Sequence, residues 1–188
     1  MPSVIKYNRV LSKFAVANNF LTPEEVEVIL GFEKSLLFNK DQSNVTEKTE
    51  IGILASDPSS TQWLFDKFSA LVGNINHEFF MYDIDGFDNF QFVRTKKNGR
   101  VDWHFQVENF YSTWERKICA SIMLTPPDEY LGGDHEVMST GNPEEPASIK
   151  INAGDVVFYA PWMSSRVVQI TSGTRKVLNT WVMGKRTC

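Results

Sequence analysis

Histidine is scarce in this chain of 188 residues: His77, His104 and His135 are all it has. The second lies in Arg100-Val101-Asp102-Trp103-His104-Phe105-Gln106-Val107-Glu108, whose alternation predicts a strand. Side chains alternate faces along a strand, so Asp102, His104, Gln106 and Glu108 share one face while Trp103, Phe105 and Val107 take the other. A histidine followed two residues later by a carboxylate is how a two-histidine, one-carboxylate metal site begins. The anionic oxygen offsets the dication, the imidazoles are strong donors, and three positions stay open for reactants. Here the carboxylate position holds the amide of Gln106. Asp102 and Glu108 stand two and four residues from His104 at roughly 3.3 Å per residue, which keeps Asp102 from taking over the Gln106 position without a register shift. No histidine follows His135, so no second imidazole comes from later in the chain.

The elements that must carry this face are legible in outline. Phe14 to Phe20 reads as a short strand leading into a helix, because Thr22-Pro23-Glu24-Glu25 sets out an N-cap, a first-turn proline and a capping-box glutamate. That helix continues through Val26, Ile29, Leu30 and Glu33, followed by a polar loop over 39–50 and a short strand over 50–55. After Asp57-Pro58-Ser59-Ser60 a second helix buries Leu64, Phe68, Leu71, Val72, Ile75 and Phe79 on one stripe. From Phe87 the period becomes two. Strands are expected over 90–94, around His104, over 117–125, 134–138, 149–151, 156–159, 166–171 and 175–183. Lys97-Asn98-Gly99 makes a hairpin turn between the strand over 90–94 and the His104 strand, and 126–133 and 141–146 are loops. Helices first and many short strands afterwards indicate an α+β, mainly β fold, a β-barrel or jelly roll buttressed by N-terminal helices.

Length and composition fit one domain, with 42% hydrophobic and 13% aromatic residues, fourteen Phe and five Trp, enough to fill a sheet-rich core. The net charge is −4 and basic residues are scattered, so nucleic acid is not an expected partner. No apolar run approaches a membrane span, and Met1-Pro2-Ser3-Val4-Ile5-Lys6 lacks the pattern of a secretion signal, so the expectation is a soluble protein without a signal peptide. The two cysteines, Cys119 and Cys188, form neither a disulfide framework nor a zinc pattern, and read as a buried apolar residue and a tail thiol. Trp103, Trp114, Trp162 and Trp181 read as core or barrel rim.

Several ordered stretches carry a resemblance: Leu21-Thr22-Pro23-Glu24-Glu25, Ile84-Asp85-Gly86-Phe87, Gln91-Phe92, Asp102-Trp103-His104, Arg116-Lys117-Ile118, Tyr130-Leu131-Gly132-Gly133-Asp134, Gly154-Asp155-Val156-Val157-Phe158 and Thr171-Ser172-Gly173-Thr174-Arg175. Together they resemble the Fe(II)- and 2-oxoglutarate-dependent dioxygenases of the prolyl 4-hydroxylase type, especially the short versions of tailed phages. The resemblance implies a double-stranded β-helix spanning residues 1–188, with 1–85 as helical support and 86–188 as barrel. It implies iron held by a His-x-Asp and by a later histidine, with a basic residue ten positions beyond. Mapped here, the metal positions are His104, Gln106 and Ser165, the last counted back from Arg175. Arg175 keeps the position that pairs with the distal carboxylate of 2-oxoglutarate, while Thr95 stands where the family usually has a tyrosine of the same pocket. The alternative reading of Arg175 pairs it with a neighbouring acid such as Asp155 or Glu136. His135 stands where an apolar residue is usual, so His104, His135 and an acid form a conceivable regrouped site. His77 reads as a surface or capping histidine.

Because the departures fall on the chemistry while the scaffold motifs survive, the expectation at this level is a non-catalytic, dioxygenase-fold binding or structural module. Under the phage resemblance it would be a virion or assembly component in virion or host cytoplasm, with other protein chains as partners and no cofactor. The alternative is an atypical Fe(II)/2-oxoglutarate-dependent hydroxylase acting on a protein or small molecule.

Overall fold

The computed structural model of the chain describes residues 4–5, 14–39, 46, 48–107, 114–138 and 145–186. Among these residues thirteen strands run in chain order as β1 (Val4–Ile5), β2 (Phe14–Ala17), β3 (Thr49–Leu54), β4 (Gly86–Phe87), β5 (Phe90–Lys96), β6 (Val101–His104) and β7 (Trp114–Met123). They continue as β8 (Tyr130–Gly132), β9 (His135–Val137), β10 (Ala147–Ile149), β11 (Val156–Tyr159), β12 (Ser165–Val167) and β13 (Ile170–Lys185). The large sheet has the order β1-β2-β11-β7-β13-β5-β3, with β4 and β8 also on β13; the small sheet has the order β10-β9-β12-β6. Among the described residues, the strand pairings of both sheets are all antiparallel. Two facing sheets of this kind with helices behind one of them make the double-stranded β-helix architecture, here open rather than a closed barrel.

The two helices form as their residues require. In α1 (Pro23–Gly31) the Thr22 hydroxyl accepts from the Glu25 backbone N–H at 3.3 Å, and a Glu25 carboxylate oxygen accepts from the Thr22 N–H at 2.7 Å. These reciprocal bonds satisfy donors that a helix start leaves open. A 3₁₀ turn, Phe32–Ser35, continues α1. The second helix, α2 (Gln62–Ile75), buries Leu64, Phe68, Leu71, Val72 and Ile75. It ends in a π turn over Asn76–Phe80, where Phe79 is only half-buried and His77 is exposed. The widening of the turn rotates Phe79 off the stripe that a regular helix would have continued.

Phe68 is the hub of the layer between α2 and the large sheet. Its ring lies edge-on to Phe20, Phe87 and Phe90 at 6.1, 4.9 and 5.2 Å, and stacks on Phe158 at 6.0 Å. A second apolar layer lies between the sheets: Val93, Cys119, Met123, Val157 and Val177 of the large sheet meet Val137 and Ile149 of the small one. Burial pushes the Cys119 thiol up, which leaves it a small apolar core residue.

Three expectations are corrected. The strand through His104 ends at His104, so Gln106 lies beyond it, its backbone N–H donating to the Pro161 carbonyl at 3.0 Å. The Asn98-Gly99 turn does not close a hairpin: β5 pairs with β3 and β13, whereas β6 pairs with β12 in the other sheet. Asn98 adopts φ 69° there, in the left-handed region that lets the chain change sheets sharply. The expected loop 126–133 contains β8, whereas the strands expected over 14–20 and 50–55 are there as β2 and β3 of the large sheet. The expected loop 141–146 lies partly, and Cys188 and Glu108 wholly, outside the described residues.

Candidate active site

Between the two sheets lies a cavity of about 250 Å³. His104, His135, Ser165 and Val167 reach it from the small sheet; Gln91, Val93, Ser121, Arg175, Asn179 and Trp181 reach it from the large one, with Gln106, Tyr159 and Arg116 alongside. Alternation places them there. Arg175, Asn179 and Trp181 are an even number of residues apart on β13, and Gln91 and Val93 are two apart on β5. Ser165 faces His104 directly across β12 and β6. The three expected metal positions therefore do converge.

Their donors form a hydrogen-bonded cluster. The Gln106 amide nitrogen lies 3.0 Å from His104 Nε2 and 3.2 Å from the Tyr159 hydroxyl, while its oxygen accepts from Trp181 Nε1 at 2.8 Å. The Tyr159 hydroxyl also bonds the Ser165 side chain. On its other side, the His104 ring holds the Asp102 carbonyl at 2.9 Å through Nδ1. Arg116 stacks on Trp181 at 3.9 Å and donates to the Gln106 carbonyl at 3.2 Å. Tyr159 and Trp181 were missed by sequence reasoning; aromatic residues within strands read as core, and only the tertiary pairing reveals their polar ends.

Farther in, Arg175 is 3% exposed and its Nε has no hydrogen-bond partner among the described residues. Burial pushes its pKa below the usual guanidinium value, with Tyr130, to which it hydrogen-bonds, opposing the fall. Neither acid suggested by the sequence pairs with it: Asp155 accepts from the Asn19 and Asn152 backbones, and Glu136 pairs with Arg166 at 2.6 Å. Thr95 lies opposite Arg175 across β5 and β13, but its hydroxyl meets Thr49 at 3.4 Å and it does not line the cavity. His135, 6% exposed, packs edge-on to Tyr159 with its Nδ1 unpartnered. Burial first, then the charge of Arg175 and His104, lowers its pKa to about 3. Arg175 and His135 also line a neighbouring cavity of about 480 Å³ under Tyr130 and Gly133.

The sequence model of the 2OG-Fe(II) oxygenase superfamily matches residues 90–183, half of the chain and all of the strands that build this cavity from β5 to the core of β13. The chain belongs to that superfamily, and membership implies Fe(II) and 2-oxoglutarate as cofactors. In particular, a PKHD-type hydroxylase of Colwellia psychrerythraea strain 34H is 42% identical over 65 residues, covering 35% of this chain and 28% of the relative. A PKHD-type hydroxylase of Synechococcus sp. strain CC9311 is 33% identical over 94 residues, covering 50% and 40%. The matched part thus spans well under half the length of these relatives. Among solved structures, a Pseudomonas putida prolyl-4-hydroxylase superposes with a TM-score of 0.74 at 14% identity, over 93% of this chain and 94% of that one. A viral collagen prolyl hydroxylase from Paramecium Bursaria Chlorella virus-1 gives 0.70 at 16%, over 93% and 97%. These establish the fold. The matches to hydroxylases overturn the expectation of a non-catalytic module, which had equated altered ligand positions with a lost reaction.

The donor set departs from what the family's iron requires. A carboxamide nitrogen and a hydroxyl stand at two of the three positions, and among the described residues no group of three His, Cys, Asp or Glu comes together. The regrouped site of His104, His135 and an acid finds no acid there. The dicarboxylate end fits: a buried cation with a free N–H and no ion-pair partner among the described residues is a receptor for an anion.

Proposed function

We propose that this chain is an atypical 2-oxoglutarate-dependent hydroxylase acting on a protein side chain or a small molecule. The observation that carries the reading is Arg175, a permanently charged group buried inside the cavity between the sheets, whose Nε–H has no partner among the described residues. Leaving such a group without an anion costs several kcal/mol, of order the penalty for an unpaired buried ion. A dicarboxylate removes that cost through a two-pronged contact suited to guanidinium geometry. The names of the relatives, PKHD-type hydroxylases, support the reaction class.

The chain's own residues account for binding and orientation. Tyr130 holds the guanidinium, Ser121 and Asn179 supply polar groups along the cavity wall, and Phe105, 63% exposed, borders the mouth where a substrate enters. The donors at His104, Gln106 and Ser165 depart from the family's iron set, which is what makes the reading atypical.

The test is succinate formation by purified protein supplied with Fe(II), ascorbate and 2-oxoglutarate, with Arg175→Ala as control. Succinate above the control, matched by consumption of 2-oxoglutarate, is expected. Equal background in both proteins sinks the reading.

A further inference from the structure

We infer that Gln106 latches the metal position of its own site. The amide occupies the His104 lone pair that an ion would use, and Trp181 holds the amide in that orientation. The inference rests on the hydroxylase reading for the kind of ion that belongs there.

The orientation follows from donor chemistry. An indole N–H only donates, so the Gln106 atom 2.8 Å from Trp181 Nε1 is the oxygen. The amide nitrogen then faces His104 and Tyr159, and its two hydrogens go one to each, at 3.0 and 3.2 Å. His104 Nε2 must therefore accept, which assigns its ring proton to Nδ1, where the Asp102 carbonyl receives it. Every hydrogen and the oxygen of the amide are used. Two ligands about 2.1 Å from one ion and at right angles lie about 3 Å apart. The Gln106 nitrogen thus stands at the spacing of a neighbouring ligand, but it presents a donor hydrogen where an ion needs a lone pair. Turning the amide would bring its oxygen to His104, at the expense of setting its NH₂ against the Trp181 N–H, donor against donor. Trp181 is a positioning residue acting through Gln106, and Arg116 stacked on its ring keeps the indole in place.

Two variants separate the latch from a plain effect of charge. Gln106→Glu keeps the shape and puts an oxygen in place of the nitrogen. Trp181→Phe adds no charge and frees the amide to turn. Co(II) titration followed by visible absorption is expected to show both variants binding about 10- to 100-fold more tightly than the wild type, with the gain abolished when His104→Ala is added. In the wild type, nitrogen NMR of His104 is expected to show a protonated Nδ1 and an accepting Nε2, a readout that needs no variant to fold. A protonated Nε2, or wild-type Co(II) affinity equal to that of both variants, overturns the inference. Succinate production by a wild type that binds Co(II) tightly through His104 would keep the hydroxylase reading and discard the latch. A tightening series without wild-type succinate would do the reverse.

Discussion

His135 presents its ring edge to Tyr159, the centroids 5.3 Å apart and the planes at 75°. The imidazole is held neutral there, its pKa lowered by burial to about 3 from the ordinary 6.5. In the unfolded chain it takes up a proton near its ordinary value, so between those two pH values the unfolded state binds a proton that the folded state refuses. The stability contributed by the neutral ring is complete above about pH 6.5 and declines as pH falls toward about 3, by at most about 1.4 kcal/mol per pH unit. His135→Leu, which keeps the site apolar, is expected to flatten that acid slope. Urea unfolding across the interval checks it, and identical slopes in the two proteins would remove His135 from the account.

Arg175 supplies the second prediction. Arg175 has no ion-pair partner among the described residues, and replacing such a buried charge by an apolar side chain of similar reach is neutral or stabilising, by up to about 1–4 kcal/mol. Without added ligand, Arg175→Met is therefore expected to melt at or above the wild-type temperature. With 2-oxoglutarate present, the wild type gains stability and the variant does not. Thermal melts with and without the dicarboxylate decide it; a variant that melts lower and still responds to ligand contradicts the assignment.

Gly133 adopts φ +70°, and a Cβ built there would lie 2.2 Å from Ile170 Cδ1 and 3.2 Å from Arg175 Cδ. Gly133→Ala adds the left-handed cost of about 1–2 kcal/mol and crowds the guanidinium stem. Calorimetry is expected to show weakened dicarboxylate binding together with lower stability, whereas Gly73→Ala, in open space on α2, leaves binding unchanged.

Phe68 makes four aromatic contacts at the centre of the layer between α2 and the large sheet. Phe68→Ala is expected to cost about 3–5 kcal/mol in denaturant unfolding. A loss below about 1 kcal/mol would mean that the rings around it collapse into the space.

What was legible in the sequence was local. Thr22 and Glu25 announce a helix start because their hydrogen bonds span three residues, and Leu64, Phe68, Leu71, Val72 and Ile75 announce a buried stripe by spacing alone. Arg175 and His104 were marked through short motifs, and both line the cavity. The misses are long-range. Whether the chain after Asn98 folds back on β5 or crosses to the other sheet is settled by pairing with β12, some sixty residues later. The orientation of Gln106 depends on Trp181, 75 residues away, and the hydroxyl of Tyr159 has a role only once Ser165 is beside it. Reading altered ligands as an abolished function erred for the same reason, since it weighed two positions and not the 2OG-Fe(II) oxygenase match over residues 90–183.

The sixteen-residue β13 carries both Arg175 and Trp181 on one uninterrupted strand, six positions apart. The cavity guanidinium and the indole bonded to Gln106 therefore share one register. Inserting or deleting a single residue between them turns one of the two side chains out of the cavity. Side chains along that segment can be exchanged singly, but a change in its length keeps Arg175 and Trp181 on the same face only in steps of two.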